Sequence, residues 1–151
     1  MTARALRGLV TLGAVALGLA CAGTGPRPLA LGQEPCTHCH MTVLTPEFAA
    51  EAVLSTGRTY VFDDVGCLLA WLGEQPERPA ALWVWSTVPG EGWLPAESAV
   101  YVHAAGLHTP MSGQLAAVRA GPTADSLAAA LAGTLRSWPE LLADRAAGSR
   151  S

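Results

Sequence analysis

The spacing of apolar and polar positions changes several times along the chain, and each change marks a predicted element. Gly8–Ala20 is almost wholly apolar, but shorter than the roughly 20 residues that a membrane-spanning helix needs. Residues 22–35 carry no period and are rich in Gly and Pro, which predicts a flexible tether. Short β-rich runs then predict strands at Ala49–Leu54 and Arg58–Phe62, with Ser55-Thr56-Gly57 as the hairpin turn between them. Asp63 and Asp64 read as the caps of a helix running to about Gly73, in which Val65, Leu68, Leu69 and Leu72 recur at helical spacing and form one apolar face. Cys67 falls on the other side of that helix, outside the predicted core. A strand over Ala81–Val88 ends at Pro89-Gly90, and its Trp83 and Trp85 share a face that reads as core and lobe interface.

The second half repeats that β-β-α-β order without repeating the sequence. Strands are predicted at Ala99–His103 and Gln114–Arg119, separated by a loop over Gly106–Gly113. A helix capped by Thr123 or Asp125 runs to about Ala132, a strand covers Thr134–Ser137, and a last helical turn covers Pro139–Ala143. Residues 146–151 read as a disordered tail. The predicted fold class is α+β: two small β-β-α-β-like lobes, about 36–90 and 91–145, after an N-terminal signal and a flexible tether.

Composition narrows the function classes. Half of the 151 residues are hydrophobic and 14% are charged, so the chain buries a core rather than remaining disordered. All nine basic residues are Arg, the net charge is −3, and no basic cluster occurs beyond Arg7. Nucleic acid is therefore excluded as a partner, since it requires a positive stripe. Arg4 and Arg7, the apolar run and the small residues after it have the parts of a secretory signal over residues 1–20. Leu17-Gly18-Leu19-Ala20-Cys21 resembles a lipoprotein signal, in which Cys21 becomes the acylated N-terminus; cleavage after Ala22 is the alternative. Losing the two arginines takes the net charge from −3 to −5, as suits an extracytoplasmic domain tethered to a membrane through residues 21–35.

The candidate chemistry lies in Cys36-Thr37-His38-Cys39-His40-Met41, where two thiols, two imidazoles and a thioether share six residues. Thiolate with thioether selects Cu(I). An extended Cys39–Val43 would put Cys39 and Met41 on one face, with Cα atoms about 6.6 Å apart. A tight turn at Cys36–Cys39 would instead bring the two thiols together and open the way to a disulfide or a zinc knuckle. Cys67 sits in the first turn of its helix, where the dipole favours thiolate. Met111 lies in a loop stiffened by Pro110. His103 and His108 read as surface residues, and no Ser/His/Asp or phosphate-loop pattern points to an enzyme. Cys36-x-x-Cys39-His40 is also the attachment string of c-type haem, with Met111 as the distal ligand of an electron-transfer protein. A thiol oxidoreductase would need its C-x-x-C to open a helix, whereas a strand pattern follows here. A Cys36–Cys39 or Cys36–Cys67 disulfide without any metal is the remaining reading.

Cys39-His40-Met41, Tyr60-Val-Phe-Asp-Asp-Val-Gly-Cys67, Tyr101-Val102, Thr109-Pro110-Met111 and Gly133-Thr-Leu-Arg-Ser137 resemble, in this order, the NosL family of lipoprotein accessory factors in nitrous oxide reductase maturation. The resemblance covers roughly residues 36–143. It implies a two-lobed fold, Cu(I) as cargo and delivery to a copper-accepting enzyme or its maturation and transport complex, in a protein held at the membrane by its N-terminal lipid and facing the periplasm. Carried over by position, the ligands would be Cys39, Met41 and Met111, with Cys36, His38, His40 and Cys67 as auxiliary candidates. Ser112 stands where the family usually has Gly, and Arg119 where it usually has an aromatic residue.

Overall fold

Short β-rich runs broken by Gly and Pro fold into two antiparallel sheets. The computed structural model describes residues 23–148; the predicted signal and Cys21 lie outside them. The first sheet consists of β1 (Ala50–Val53), β2 (Thr59–Phe62), β3 (Ala81–Trp85) and β4 (Trp93–Pro95), in the order β2-β1-β3-β4. The second consists of β5 (Ala99–His103), β6 (Leu115–Arg119) and β7 (Thr134–Ser137), in the order β6-β5-β7. Helices α1 (Val65–Leu72), α2 (Pro122–Ala130) and α3 (Trp138–Gly148) complete the described chain. Both lobes thus have the predicted β-β-α-β order, and the fold is α+β.

Four details differ from the sequence reading. β3 stops at Trp85, because Ser86 begins a turn: its hydroxyl accepts from the Val88 amide and donates to Glu91. The chain then returns as β4, pairing Trp85 with Trp93, so the first lobe reaches beyond residue 90. Helix α2 begins at Pro122 behind Gly121 and has no side-chain cap; Thr123 and Asp125 lie inside it. A proline at the first position leaves no amide there to cap. The last helical turn extends into α3 as far as Gly148 because Trp138 and Leu141 bury their side chains in the central core.

That core joins the lobes. One face of the first sheet (Ala50, Ala52, Phe62, Val84, Leu94) packs with α1, with Trp138 and Leu141 of α3, and with the inward face of the second sheet (Ala99, Tyr101, Leu115, Ala117). The alternate residues of the second sheet, Val102, Ala116 and Val118, face α2. Period-two alternation thus gives the second sheet two buried faces.

The outer face of the first sheet is also covered. Thr24 O accepts from Trp83 Nε1 at 2.8 Å, and the Arg27 amide donates to Glu51 Oε2 at 3.0 Å. Leu29, Trp85 and Trp93 all pack against the cluster of Val43, Ala49 and Val61. Residues 24–35, read from sequence as tether, therefore lie across the sheet as a strap. Trp83 and Trp85 pack beneath that strap and not between the lobes.

Candidate metal centre

The strap leads directly into the sulfur-rich segment. Pro35 bridges Thr42, the Val43 amide donates to Glu34 O at 2.9 Å, and the Cys36 amide donates to Met41 O at 2.7 Å. Within this hairpin tip the His40 amide donates to Cys36 O at 3.0 Å, and His40 has φ +63°. The segment is thus the tight turn of the two sequence alternatives, with Met41 leaving it. The Thr37 amide donates to Val61 O at 2.8 Å, which ties the turn to β2.

This turn converges on the start of α1. The sulfurs of Cys36, Cys39 and Cys67 and a carboxylate oxygen of Asp63 all lie within 4.8 Å of one another, a grouping able to hold a metal ion. Cys36 and Cys67 are buried, whereas Cys39 is partly exposed and lies 3.3 Å from Asp63 Oδ1. The sequence reading placed Cys67 outside the core. In the structure the helix side that carries Cys67 and Trp71 is buried as well, with Trp71 packed on Tyr60 and Phe62 at ring-centroid distances of 4.9 and 5.3 Å. A helix enclosed on more than one side buries more than its most apolar stripe.

The two adjacent aspartates divide the work. Asp64 alone caps α1, its Oδ1 accepting from the Gly66 amide at 2.6 Å. Asp63, also read as a cap, instead faces the sulfurs. The signal for its role was its place at the end of β2, two residues beyond Val61, which anchors the turn.

Charge is unevenly spread over the thiols. The Cys67 thiol hydrogen-bonds to Cys36 and draws the Cys36 pKa down to about 6, while Cys67 itself is pushed up by that same bond and by burial. Burial, with Cys36 and Asp63 beside it, raises Cys39 to about 11. Of the three thiols, ionisation is therefore favoured at Cys36 and disfavoured at Cys39 and Cys67.

Met41 and Met111 are both exposed, at 51% and 43%. Met41, Asp63 and Pro110 line one cavity of about 290 Å³, together with Thr42, Leu44 and Thr45. This brings Met41 and the loop carrying Met111 beside the carboxylate that touches Cys39. The loop is fixed by Asp64, whose Oδ2 accepts from the Thr109 hydroxyl at 2.5 Å and from the Met111 amide at 3.1 Å. A Cβ on Gly113 would lie 2.4 Å from Asp64 Oδ1, so only glycine lets the loop close on the carboxylate. Ser112 has φ +58°, a conformation glycine adopts at lower cost.

The auxiliary histidines lie outside the sulfur grouping. His38 Nδ1 is 3.9 Å from Glu74 Oε2, and His40 is exposed. Cys36, the first cysteine of the C-x-x-C-H string, is fully buried in this fold. A larger apolar cavity of about 430 Å³, over α2 and β6, contains none of these residues. Among the described residues, no helix is long and apolar enough to cross a membrane.

Comparison with curated proteins gives no sequence match. Among solved structures the chain is similar to the copper chaperone NosL from Shewanella denitrificans, with a TM-score of 0.67 and 14% identity over 78% of this chain and 96% of that one. At that identity the likeness speaks for the fold. The profile of the NosL family matches residues 28–145, which include both sheets, the three clustered cysteines, Met41 and the Met111 loop. On that match the chain belongs to the NosL family.

Proposed function

We propose that this protein is an extracytoplasmic Cu(I) carrier, anchored by lipid at Cys21, that passes copper to nitrous oxide reductase or a related copper enzyme during assembly. The observation that carries the reading is the grouping of three thiols and the Asp63 carboxylate within 4.8 Å, beside a cavity lined by Asp63, the exposed Met41 and Pro110, the neighbour of the exposed Met111. Soft sulfur ligands suit Cu(I). The solved structure with the same fold is described as a copper chaperone, and membership of the NosL family supports the recipient.

Cys39, Met41 and Met111 act as the exchange ligands, with Cys36 and Cys67 as auxiliary thiols behind them. Exposed thioethers are neutral and individually weak, so a recipient can replace them one at a time while Cys39 still holds the ion. The protein carries and transfers an ion and catalyses no reaction. Exposed Leu44, beside Met41 in the same cavity, leaves the rim apolar where a recipient would dock.

The test is anaerobic Cu(I) competition against a chromogenic chelator. Cys39→Ala is expected to lose affinity by at least tenfold relative to the wild type, and undiminished affinity would sink the reading. Mass spectrometry of the mature N-terminus tests acylation at Cys21.

A further inference from the structure

Cys36 and Cys67 lie deeper than ligand exchange requires, at 0% and 2% exposure. They belong to separate elements, one to the hairpin tip and the other to the first turn of α1. Their sulfurs lie within 4.8 Å of each other and of the sulfur of the partly exposed Cys39. One reachable thiol in front of two buried, mutually facing thiols is the layout of a dithiol that oxidises through a surface entry point.

We propose that Cys36 and Cys67 form a reversible disulfide that removes two thiols from the metal centre and so favours release of its cargo. The effect on cargo rests on the copper reading above; formation of the bond does not. The oxidant is a disulfide of the low-molecular-weight or thiol-oxidase class, R–S–S–R. Cys39, the one thiol of the three that solvent reaches, gives up its proton as it attacks, forming a mixed disulfide, and the first departing R–S⁻ takes up a proton as R–SH. Cys36 attacks the Cys39 sulfur, expelling the second R–SH and leaving a Cys36–Cys39 bond. Cys67 then attacks the Cys36 sulfur and returns Cys39 as a thiol. In sum, two cysteine S–H bonds and one external S–S bond break, one Cys36–Cys67 S–S bond and two R–S–H bonds form, and two electrons pass from the dithiol to the external disulfide, the oxidant.

Two features favour this end point over Cys36–Cys39. Returning Cys39 to the thiol restores its contact with Asp63 Oδ1 at 3.3 Å. The final bond is also buried, and burial shields it from attack by external thiols. A disulfide sulfur carries no thiolate charge, so the oxidised centre keeps only Cys39, Met41 and Met111. By linkage, a bound ion that occupies the thiolates opposes the oxidation to the same degree.

The experiment treats the mature protein with oxidised glutathione without metal, then maps peptides under non-reducing conditions and measures Cu(I) affinity. The wild type is expected to lose two hydrogens, to yield a Cys36–Cys67 linked peptide with Cys39 still open to alkylation, and to lose affinity at least tenfold. The Cys36→Ser/Cys67→Ser variant is expected to retain one glutathione on Cys39, since nothing resolves it. Glutathione held on wild-type Cys39, a terminal Cys36–Cys39 link, or a Cys36–Cys67 link with unchanged affinity would each overturn the proposal. Absence of Cu(I) binding by the reduced wild type would instead reject the carrier reading, while the mapped link is judged separately.

Discussion

The Asp64 carboxylate holds the Met111 amide at 3.1 Å while it caps α1 through the Gly66 amide at 2.6 Å. One fully buried side chain thus begins a helix in the first lobe and fixes the methionine loop of the second. Asparagine separates these two roles. It caps helices as well as aspartate does, but its amide group would face the Met111 N–H donor to donor.

Asp64→Asn is therefore expected to keep α1 intact and to weaken Cu(I) binding about tenfold, or about 1.4 kcal/mol. Met111→Leu should give a similar loss, and the double variant should lose no more than either alone. A double-mutant cycle on chelator-competition affinities measures this coupling. Additive losses would show that Asp64 does not act through Met111.

A second expectation concerns the thiolate. With its pKa lowered from 9.0 to about 6, Cys36 is ionised at neutral pH. A group whose pKa falls on folding adds stability above its unfolded value and loses it as the pH drops through about 6. Thiolate ultraviolet absorbance of the reduced protein should therefore rise with a midpoint near 6. In Cys67→Ala, which lacks the donor, that midpoint should move up toward the ordinary cysteine value. An unmoved midpoint would show that Cys67 does not stabilise the charge.

Glu51 gives the opposite sign. Burial raises its carboxyl above the usual range, opposed by the Arg27 amide bond, and its Oε1 has no hydrogen-bond partner. A carboxyl raised on folding favours the native state at low pH and loses that contribution as the pH rises through its folded value. Glu51→Gln keeps an acceptor for the Arg27 amide and removes the buried charge. It should stabilise the protein by about 1 kcal/mol at pH 7, with the gain vanishing below the carboxylate range. Urea denaturation at both pH values checks the difference.

Gly133 should tolerate no side chain. A Cβ there would meet His103 O at 2.7 Å and Ala104 Cβ at 2.9 Å, and neither is the end of a flexible side chain. Gly133→Ala is expected to cost about 1–3 kcal/mol. The denaturation midpoint should fall accordingly, with Cu(I) stoichiometry unchanged in the folded fraction.

Much of this protein is legible from local pattern. The β5 and β7 boundaries, the hairpin of β1 and β2 and the Asp64 cap follow from two-residue alternation, turn residues and capping chemistry, which act over a few neighbours. The family motifs pointed to Cys39, Met41 and Met111. Local pattern failed where the partner is distant in sequence. The strap over residues 24–35 looks like linker because its contacts, Glu51, Val61 and Trp83, lie far along the chain. β4 is only three residues long and owes its strand to pairing with β3.

The sequence by itself determined the α+β element order, the soft ligand chemistry and the family, because side-chain chemistry and short-range periodicity are properties of neighbouring residues. Tertiary structure decided which sulfurs meet. It brought Cys67 from the supposedly outer side of α1 to within 4.8 Å of Cys36 and Cys39, and it separated Asp63 at the sulfurs from Asp64 at the Met111 loop. The direction in which a side chain becomes buried is set by what packs around its element, and for α1 this means both sheets, α3 and the hairpin tip together.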